Sequence, residues 1–350
     1  MRFLVVGAGA IGAYVGGCLA AAGHPVAFLA RRHTADVIAT EGLVIERGER
    51  SLHVQNVAVF TDAGEALRTQ GTDVVICALK SFDTESALAD LVSTGEPLPP
   101  VLSLQNGVDN EPLIGSRIGP DRVIAGTVTT AVSVRRAGRV VEERHRGVGI
   151  ALGHPLAREI AAALDEAGLS VQTFSAAGPM KWSKLLGNLA GNATSAITDL
   201  SVGEVYADPG LFRVELAQLR ECLAVMGALR HDPVDLPGLP MRALARAARD
   251  LPVEQAQPLL LQALASGRGA KMPSLHIDLH SGRGRTEVGY LHGAVARHAA
   301  LAGVPTPVCT VLAQTLEALS AGTADIERFR RQPAQLVSLM PPGSLPPHQP

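Results

Sequence analysis

The chain has 350 residues, a formal net charge of −2 and 18% charged residues. This length suffices for two domains with a sizeable core, and the balanced charge excludes a broad basic surface for nucleic acid. Aromatic residues make up only 3% of the chain, so few side chains are present that could stack on bases or sugars.

A dinucleotide-binding pattern occupies the N-terminus. A short apolar run at 3–6 leads into a glycine-rich turn, a helical pattern of small residues, and a second apolar run at 26–30. This strand–turn–helix–strand context is what gives a G-x-G-x-x-G spacing its meaning. The glycines allow a tight turn, a close approach of a pyrophosphate and close helix–sheet packing, and the helix dipole faces the phosphates. The predicted cofactor-binding residues of this turn are Gly7, Gly9, Ala10, Ile11 and Gly12.

Two arginines, Arg31 and Arg32, follow the second strand. Folds specific for NAD usually carry an acidic residue here that bonds the ribose 2′-hydroxyl, whereas a cation suits a 2′-phosphate. The sequence therefore predicts NADP(H) as the cofactor. Two alternatives stay open, namely a glycine-rich turn in another kind of α/β protein and a pair of ordinary surface arginines.

The first half of the chain alternates strand and helix signals. Strands are predicted at 3–6, 26–30, 74–79, 101–104 and 123–128, with helices at 11–22, 84–93 and 111–117. This alternation predicts an α/β fold with a Rossmann-like, doubly wound parallel sheet. Residues 43–59 and 128–152 instead have hairpin patterns, and we expect their antiparallel strands at one edge of that sheet.

The second half is dominated by helical periodicity from Met180 to about Ser320. The Gly178-Pro179 step is the predicted boundary, which gives an NADP-binding Rossmann domain over 1–178 and an all-helical C-terminal domain over 179–320 for substrate binding and dimerisation. The last twenty residues contain six prolines, so 331–350 are predicted to be a disordered tail.

Cysteine usage and apolar patterning predict a cytoplasmic protein with no membrane association. The four cysteines are widely separated and lack a C-x-x-C spacing, which favours buried thiols in a reducing compartment. The N-terminal apolar run is split by glycines, unlike a signal peptide, and no apolar stretch reaches the length of a membrane span.

Polar residues follow two of the predicted parallel strands. Lys80 comes directly after one strand, and Asn106 and Gly107 follow another. Ligands of open α/β sheets bind beyond the carboxyl ends of the strands, so Lys80 and Asn106 are predicted to face the nicotinamide site. A simple turn at Asn106-Gly107 is the alternative.

The segment from Met180 to Thr198 predicts a helix with one polar stripe. Lys184, Asn188 and Asn192 recur every four residues, and the segment contains no acidic residue. Such a helix is expected to be buried on nearly all sides, with the stripe facing a pocket. An amphipathic helix whose lysine and asparagines face solvent is the alternative.

A third polar segment covers 272–288. Ser274 is placed to begin a helix, and Glu287 is placed at the opening of the next one, where its charge suits the helix dipole. His276 and His280 have the i, i+4 spacing of a metal pair. Since neither an H-E-x-x-H pattern nor an obvious third ligand is present, no metal is predicted.

Across roughly 1–318 the chain resembles the ketopantoate reductase (2-dehydropantoate 2-reductase) family. The clusters in the helical half are more specific than the glycine fingerprint, which many dehydrogenases share. The matching elements are G-x-G-x-x-G with Arg31, Ala78-Leu79-Lys80, Gln105-Asn106-Gly107, Lys184-x-x-x-Asn188-x-x-x-Asn192, Ser274 with Asp278, Gly282-Arg283, Thr286-Glu287 and Gly303-Val304-Pro305-Thr306-Pro307.

The resemblance implies NADPH-dependent reduction of 2-dehydropantoate, a small 2-keto acid, to pantoate on the way to pantothenate and coenzyme A. Lys184 would be the general acid at the carbonyl oxygen, and Glu287 would bind the substrate hydroxyl and help to position Lys184. Ser274, together with Asn188 and Asn192, would hold the substrate carboxylate and hydroxyl.

The same resemblance implies the remaining cofactor contacts. Asn106 would bridge the cofactor ribose and the substrate, Lys80 would lie near the cofactor, and Arg31 would bind the 2′-phosphate. Glu287 would also belong to the cofactor site. Family members pair a Rossmann domain with an all-helical domain, bind substrate in the cleft between them, and commonly form homodimers.

The chain departs from the family pattern at Leu275, Ile277, Gly289 and His292. A related reductase of another small 2-keto acid or ketone is therefore an alternative. Two further alternatives are a non-catalytic NADP(H) sensor, which would not need the Lys184 and Glu287 pair, and a hydroxyacid dehydrogenase of the 6-phosphogluconate type, which would not explain the Ser274 to Glu287 segment.

Overall fold

The computed structural model describes residues 1–268, 272–282 and 284–347. They divide into two compact units, Met1–Lys181 with Leu236–Leu239, and Trp182–Asp235 with Pro240–Pro350. The predicted boundary at Gly178-Pro179 lies a few residues before this division, in the first turn of a helix that begins at Ala177. Proline is tolerated there because the N–H groups of a helix's first turn have no intrahelical acceptor, so a missing N–H costs no helical hydrogen bond.

The first unit holds the strands of the described chain. They are β1 (Phe3–Val6), β2 (Val26–Leu29), β3 (Leu43–Arg47), β4 (Arg50–Val54), β5 (Ala58–Phe60), β6 (Val74–Cys77), β7 (Val101–Ser103), β8 (Val123–Val128), β9 (Ala131–Arg136), β10 (Arg139–Arg144), β11 (Val148–Ala151) and β12 (Val171–Phe174). Its helices are α1 (Ala10–Ala21), α2 (Arg32–Glu41), α3 (Ala63–Gln70), α4 (Thr84–Ser93), α5 (Asn110–Ile118) and α6 (Ala157–Glu166).

The larger sheet of this unit has the strand order β12-β11-β8-β7-β6-β1-β2-β5. From β8 to β5 all neighbours are parallel, whereas β11 is antiparallel to β8. Strand β1 lies between β2 and β6, so strands are added first on one side of β1 and then on the other. The point where the strand order changes side lies at the carboxyl end of β1. The predicted Rossmann-like fold is confirmed, and the glycine-rich turn lies at the position where such sheets bind nucleotides.

Most strands of the predicted hairpins do not extend the edge of this sheet. Strands β3, β4, β9 and β10 form a second sheet of order β4-β3-β10-β9, in which β3 and β10 are parallel. Strands β5 and β11, which belonged to the same predicted hairpin segments, join the larger sheet instead. Hairpin patterns identify local pairing, but they carry no information on which sheet the pair completes. The expectation of antiparallel strands beside the larger sheet was wrong for β3, β4, β9 and β10, and it is confirmed for β11, which lies antiparallel to β8.

Helix α1 explains why a second sheet is stable here. A Cβ at Gly16 would lie 2.5 Å from the Phe28 ring on the larger sheet, and a Cβ at Gly17 would lie 2.5 Å from Ile45 on the second sheet. The helix is thus packed closely on both sides, and Tyr14 donates a hydrogen bond to Glu142 of the second sheet. Small residues at these positions let both sheets bury apolar area on one helix.

The second unit is helical. After α7 (Ala177–Leu189), which begins in the first unit, it contains α8 (Asn192–Thr198), α9 (Val202–Ala207), α10 (Pro209–Ala228), α11 (Met241–Asp250), α12 (Val253–Arg268), α13 (Ser274–His280), α14 (His292–Ala302), α15 (Pro307–Ser320) and α16 (Pro333–Val337). The all-helical C-terminal fold predicted from the sequence is confirmed. Helix α10 is central, since it packs against α9, α11, α14, α15 and α16.

The tail predicted as disordered is ordered over most of its length. Helix α16 begins with Pro333 at its first position, and Leu336 and Met340 are buried. Arg331 also donates its backbone N–H to the Thr198 carbonyl at 2.7 Å. Proline-rich composition was a misleading signal, because Pro333 begins a helix and the apolar residues after it reach the core. Residues 348–350 lie outside the described residues.

We expect Leu336→Ala to destabilise the protein by about 2–4 kcal/mol, because Leu336 is fully buried and its loss leaves a cavity against α8 and α10. Gln335→Ala, which alters an exposed side chain of the same helix, is the matched control. Chemical denaturation of both variants measures the effect. Equal midpoints for the two variants would show that the tail contributes no packing energy.

Candidate active site

The glycine-rich turn of the first unit has the shape of a phosphate cradle. Gly7 has φ +98°, and a Cβ at Gly12 would lie 1.8 Å from the Gly7 carbonyl oxygen, so neither position accepts a side chain. A Cβ at Gly9 would meet no heavy atom of the described chain within 4 Å. Gly9 is the N-cap of α1, and the first turn, which contains Ala10 and Ile11, is apolar. Its N–H groups and the helix dipole are therefore available to an anion.

Arg31, the predicted ligand of a 2′-phosphate, is the N-cap of α2 and is largely exposed. Its Nη2 donates to Asp83 Oδ2 at 2.9 Å. Asp83 belongs to the short turn that follows Lys80. The Arg31 guanidinium thus lies beside the strand β6 tip, with an acidic neighbour that sequence reasoning did not assign.

A buried polar network holds the tips of β6 and β7 together. Asn110 donates through Nδ2 to the Asn106 carbonyl at 2.7 Å and to Ser81 Oγ at 3.1 Å. Ser81 in turn donates to the same Asn106 carbonyl at 3.2 Å. Lys80 is the residue immediately before Ser81, so the structure brings the Lys80 and Asn106 backbones into one cluster. Neither Ser81 nor Asn110 was identified from the sequence.

Lys181 is a further residue that sequence reasoning missed. Its Nζ is buried, donates to the carbonyl oxygens of Gln105 at 2.7 Å and Gly126 at 3.2 Å, and lies 2.7 Å from Glu111 Oε1. The ammonium therefore connects the segment that follows β7 and the interior of β8 with the first turn of α5. The sequence did contain one signal, because Lys181 stood near the start of a predicted helix with few charges. Only the folded chain supplies the carbonyl and carboxylate groups that bind the Lys181 ammonium.

In the second unit, the predicted polar stripe is divided between two helices. Lys184 and Asn188 lie on α7, whereas Asn192 is the first residue of α8. The single helix predicted through Asn192 is therefore wrong. Gly191 separates the two helices at φ +65°, and its N–H donates to Glu215 Oε2 at 2.7 Å. Helix α7 therefore ends before Gly191, because the Gly191 N–H bonds to Glu215 and a residue with positive φ cannot continue an α-helix.

Burial of this segment agrees with the sequence expectation. From Lys181 to Leu200 most residues are buried, and Lys184 and Asn188 are among the few of intermediate exposure. Gly187 faces Met241, where a Cβ would lie 3.2 Å from the methionine methyl group. A solvent-facing amphipathic helix is excluded by this pattern.

Asn192 contacts two other predicted substrate residues, Asn188 and Ser274, so the three form one cluster. Its Nδ2 donates to the Asn188 carbonyl at 2.8 Å and lies 3.3 Å from Ser274 Oγ. Its Oδ1 accepts the backbone N–H of Leu275 at 3.0 Å, which caps the N-terminus of α13. The structure thus places Asn188, Asn192 and Ser274 side by side, although Ser274 is 82 residues from Asn192 in the chain.

A buried carboxyl group fixes the turn that carries Asn192. Glu215 of α10 accepts the Gly191 N–H, the Thr194 hydroxyl and the Tyr206 hydroxyl, the last at 2.9 Å. It is fully buried, and this burial raises its pKa, which its hydrogen bonds oppose. Glu215 was not singled out from the sequence, because an acidic residue in a long helix is usually exposed.

Glu287 is a buried carboxyl group in front of a short helical turn. It is 3% exposed, and its carbonyl accepts the N–H groups of Tyr290 and Leu291 at 2.9 and 3.1 Å. The next α-helix begins at His292, a full turn later than the sequence suggested. Asp278 of α13 is also buried, while Arg283, which contributed to the resemblance, lies outside the described residues.

Two of the four departures from the family pattern, Leu275 and His292, are buried packing positions. Leu275 is fully buried, Ile277 is 48% exposed, and a Cβ at Gly289 would lie 3.1 Å from Glu317 Oε1. His292 is fully buried with Nε2 2.7 Å from Gln218 Oε1, and burial lowers its pKa to about 3. His292 is therefore a neutral core residue.

Comparison with known families decides the relationship. The model of the family described as Ketopantoate reductase PanE/ApbA matches residues 3–153, and that of its C-terminal domain matches residues 178–320. The chain belongs to the ketopantoate reductase family. It is accordingly an oxidoreductase that acts on a CH–OH group.

Relatives in this family match the chain over nearly its whole length. A 2-dehydropantoate 2-reductase of Pyrococcus horikoshii is 28% identical over 92% of this chain and 100% of the relative. One from Halobacterium salinarum is 29% identical over 89% of this chain and 97% of the relative.

Solved structures show the same fold. A PanE/ApbA family ketopantoate reductase from Ralstonia eutropha is 29% identical, with a TM-score of 0.78 over 92% of this chain and 99% of the other. D-mandelate dehydrogenase in complex with NADH and anilino(oxo)acetate has a TM-score of 0.76 at 20% identity over 92% and 99% of the two chains, which shows a shared fold alone. Among the helices described here, none is long and apolar enough to span a membrane.

Proposed function

We propose that the protein reduces 2-dehydropantoate to pantoate with NADPH. The observation that carries this proposal is the cluster in which Asn192 joins Asn188 and Ser274, one helical turn from Lys184 on α7. Amide and hydroxyl groups suit a substrate with a carboxylate and a hydroxyl, and an ammonium on the same helix suits a carbonyl oxygen that becomes negative.

The first unit supplies a cofactor site that fits a dinucleotide phosphate. The α1 N-terminus, with its open position at Gly9, would hold the pyrophosphate, Arg31 would pair with the 2′-phosphate, and Lys80 and Asn106 would lie near the nicotinamide ribose. When bound, the reduced nicotinamide supplies a hydride to the carbonyl carbon.

The chain's own contribution to the reaction is a proton and an orientation. Lys184 donates a proton to the carbonyl oxygen, so the C=O group becomes CH–OH once carbon has received its hydride. Asn188, Asn192 and Ser274 hold the carboxylate and hydroxyl, which orients the carbonyl toward the proton donor. Glu287 binds the substrate hydroxyl, contributes to the cofactor site and positions the Lys184 ammonium.

A substrate panel tests this proposal. Purified protein is mixed with NADPH or NADH and with 2-dehydropantoate, other branched 2-keto acids or phenylglyoxylate, while absorbance of the reduced nicotinamide is followed. We expect 2-dehydropantoate with NADPH to give the highest kcat/KM. Higher kcat/KM on another 2-keto acid would favour a related reductase of that substrate. NADPH binding without turnover on any ketone would favour a sensor.

Arg31→Ala is expected to raise the KM for NADPH about 10- to 100-fold and to change the KM for NADH little. A charge-assisted contact with a phosphate contributes about 1.5–3 kcal/mol, and NADH has no 2′-phosphate to lose it. Asp83→Asn, which removes the acidic partner of Arg31 at 2.9 Å, is expected to lower the KM for NADPH. An Arg31→Ala enzyme with an unchanged ratio of the two KM values would contradict NADP specificity.

A cytoplasmic homodimer that binds no nucleic acid is part of the same proposal. The thiols of Cys18, Cys77, Cys222 and Cys309 are all free and buried, which suits a reducing compartment. Sedimentation equilibrium of the purified chain is expected to give twice the mass of 36.4 kDa.

A further inference from the structure

Three potential metal ligands meet in the second unit away from the polar cluster. His276 and His280 lie one turn apart on α13, with ring centroids 4.2 Å from one another. Asp199 follows α8 directly and has φ +52°, which directs the chain away from the helix. The sequence offered the two histidines but no third ligand, and the packing of α13 on α8 supplies it.

The geometry of the three groups is compact. His276 Nε2 lies 2.8 Å from Asp199 Oδ1, and one ligand atom from each of the three residues lies within 4.8 Å of the others. The His276 side chain is 14% exposed and that of Asp199 33% exposed, while His280 is exposed. The cluster is thus fixed on its inner side and open to solvent at His280.

We propose that Asp199, His276 and His280 bind a divalent transition-metal ion of the Zn²⁺ type, with solvent in the remaining position. Two imidazole nitrogens and one carboxylate oxygen form a ligand set that Zn²⁺ uses, and the i, i+4 spacing places both rings on one face of α13. The three ligand atoms lie within 4.8 Å of one another and would converge on one ion by side-chain rotation.

One neighbouring cation has to be accommodated. Arg330 Nε lies 3.4 Å from Asp199 Oδ2 and its Nη1 lies 2.7 Å from Glu327. Arg330 therefore faces the second carboxylate oxygen, whereas Oδ1 faces His276, and the ion takes Oδ1. Because Arg330 repels a cation in this position, Arg330→Gln is expected to tighten metal binding.

The ion would join the end of α8 to α13. These two helices carry Asn192 and Ser274, so a bound ion would stabilise the same helix pair that presents the polar cluster. An ion that binds only the folded chain raises its thermal midpoint in proportion to the logarithm of the free concentration above Kd.

The test uses the full, untagged chain after removal of metals by EDTA and dialysis. ZnCl₂ is titrated by calorimetry, and CoCl₂ by the visible absorption that a low-symmetry cobalt site produces. We expect one equivalent of Zn²⁺ per chain. His280→Ala and Asp199→Asn should each weaken binding by at least about tenfold, a loss typical even of outer-sphere changes.

His33→Ala, which removes an exposed histidine of α2, is the matched control and should leave Zn²⁺ affinity unchanged. Asparagine tolerates a positive φ, so Asp199→Asn keeps the local backbone, and melting in EDTA verifies that each variant folds. No stoichiometric binding to the parent chain would overturn the proposal. Equal affinity of the parent and either ligand variant would also overturn it, since the ion would then lie elsewhere.

Discussion

Replacement of Lys184 by methionine is expected to lower kcat for 2-dehydropantoate about 10²- to 10⁴-fold while the Kd for NADPH stays unchanged. Methionine keeps the unbranched, helix-compatible side chain but has no proton to donate, and general acid catalysis contributes a factor of this size. Stopped-flow turnover and titration of NADPH fluorescence measure the two quantities separately.

The Lys184→Arg variant sharpens this test. Arginine keeps the positive charge but remains protonated across the accessible pH range, so it stabilises charge without transferring a proton efficiently. We expect Lys184→Arg to recover part of the substrate affinity lost in Lys184→Met but little of kcat. A methionine variant with a parental kcat would exclude Lys184 as the general acid, whatever the substrate.

Replacement of Glu215 by alanine is expected to lower the free energy of unfolding by about 3–5 kcal/mol. The Gly191 N–H and the hydroxyls of Thr194 and Tyr206 would lose a buried acceptor, at about 1–3 kcal/mol for each group left unpaired. Glu215→Gln, which keeps the volume and one acceptor oxygen, is expected to lose less. Ala224→Ser, on an exposed position of α10, is the control. Similar urea midpoints for Glu215→Ala and the control would contradict this role.

Glu215 is also expected to make the free energy of unfolding depend on pH. Burial raises its pKa in the folded protein, so the folded state holds this proton more tightly than the unfolded chain does. Protonated Glu215 therefore contributes fully to the free energy of unfolding below its unfolded-state pKa of about 4.3. This contribution is lost as the pH rises from there toward the pKa of Glu215 in the folded protein. The stability of Glu215→Gln relative to the parent should increase between pH 4 and pH 7. A constant difference across this range would mean that folding does not raise the pKa of this carboxyl group.

Loss of Glu215 is also expected to reach the polar cluster. Because Glu215 holds the turn at Gly191, a partly stable Glu215→Gln variant should raise the KM for the keto acid through Asn192, with a smaller change in the KM for NADPH. A purely structural role would leave both KM values unchanged at temperatures where the variant is folded.

Local pattern predicted much of the architecture. Strands at 3–6 and 123–128 and the helix at 84–93 were predicted with the observed bounds, because strand and helix periods and their flanking glycines are written in neighbouring residues. Helices α2, α3 and α6 were not predicted, although their hydrophobic periodicity is no weaker than that of the predicted helix at 84–93. The tail at 331–350 was misjudged because its composition concealed the one buried turn around Leu336.

The composition of the polar cluster was predictable, but its construction was not. Lys184, Asn188, Asn192 and Ser274 stand out in the sequence as polar residues in apolar surroundings. That Asn192 begins a new helix, and that its side chain caps α13, depends on Glu215 and on the Leu275 N–H, which are distant in the chain. Hydrogen bonds between such residues form only when packing brings the helices together, so no local pattern encodes them.

The sequence by itself determined the dinucleotide-binding turn, the doubly wound sheet, the helical second half and the family, because each rests on spacing within a short segment. Only the tertiary structure decided that most hairpin strands form a second sheet on α1, that Lys181 binds carbonyls of β8 and of the segment after β7, and that Asp199 meets His276 and His280. These features join residues far apart in the chain. Their energy comes from burial and from satisfying buried polar groups, and both are properties of the packed chain rather than of any segment of it.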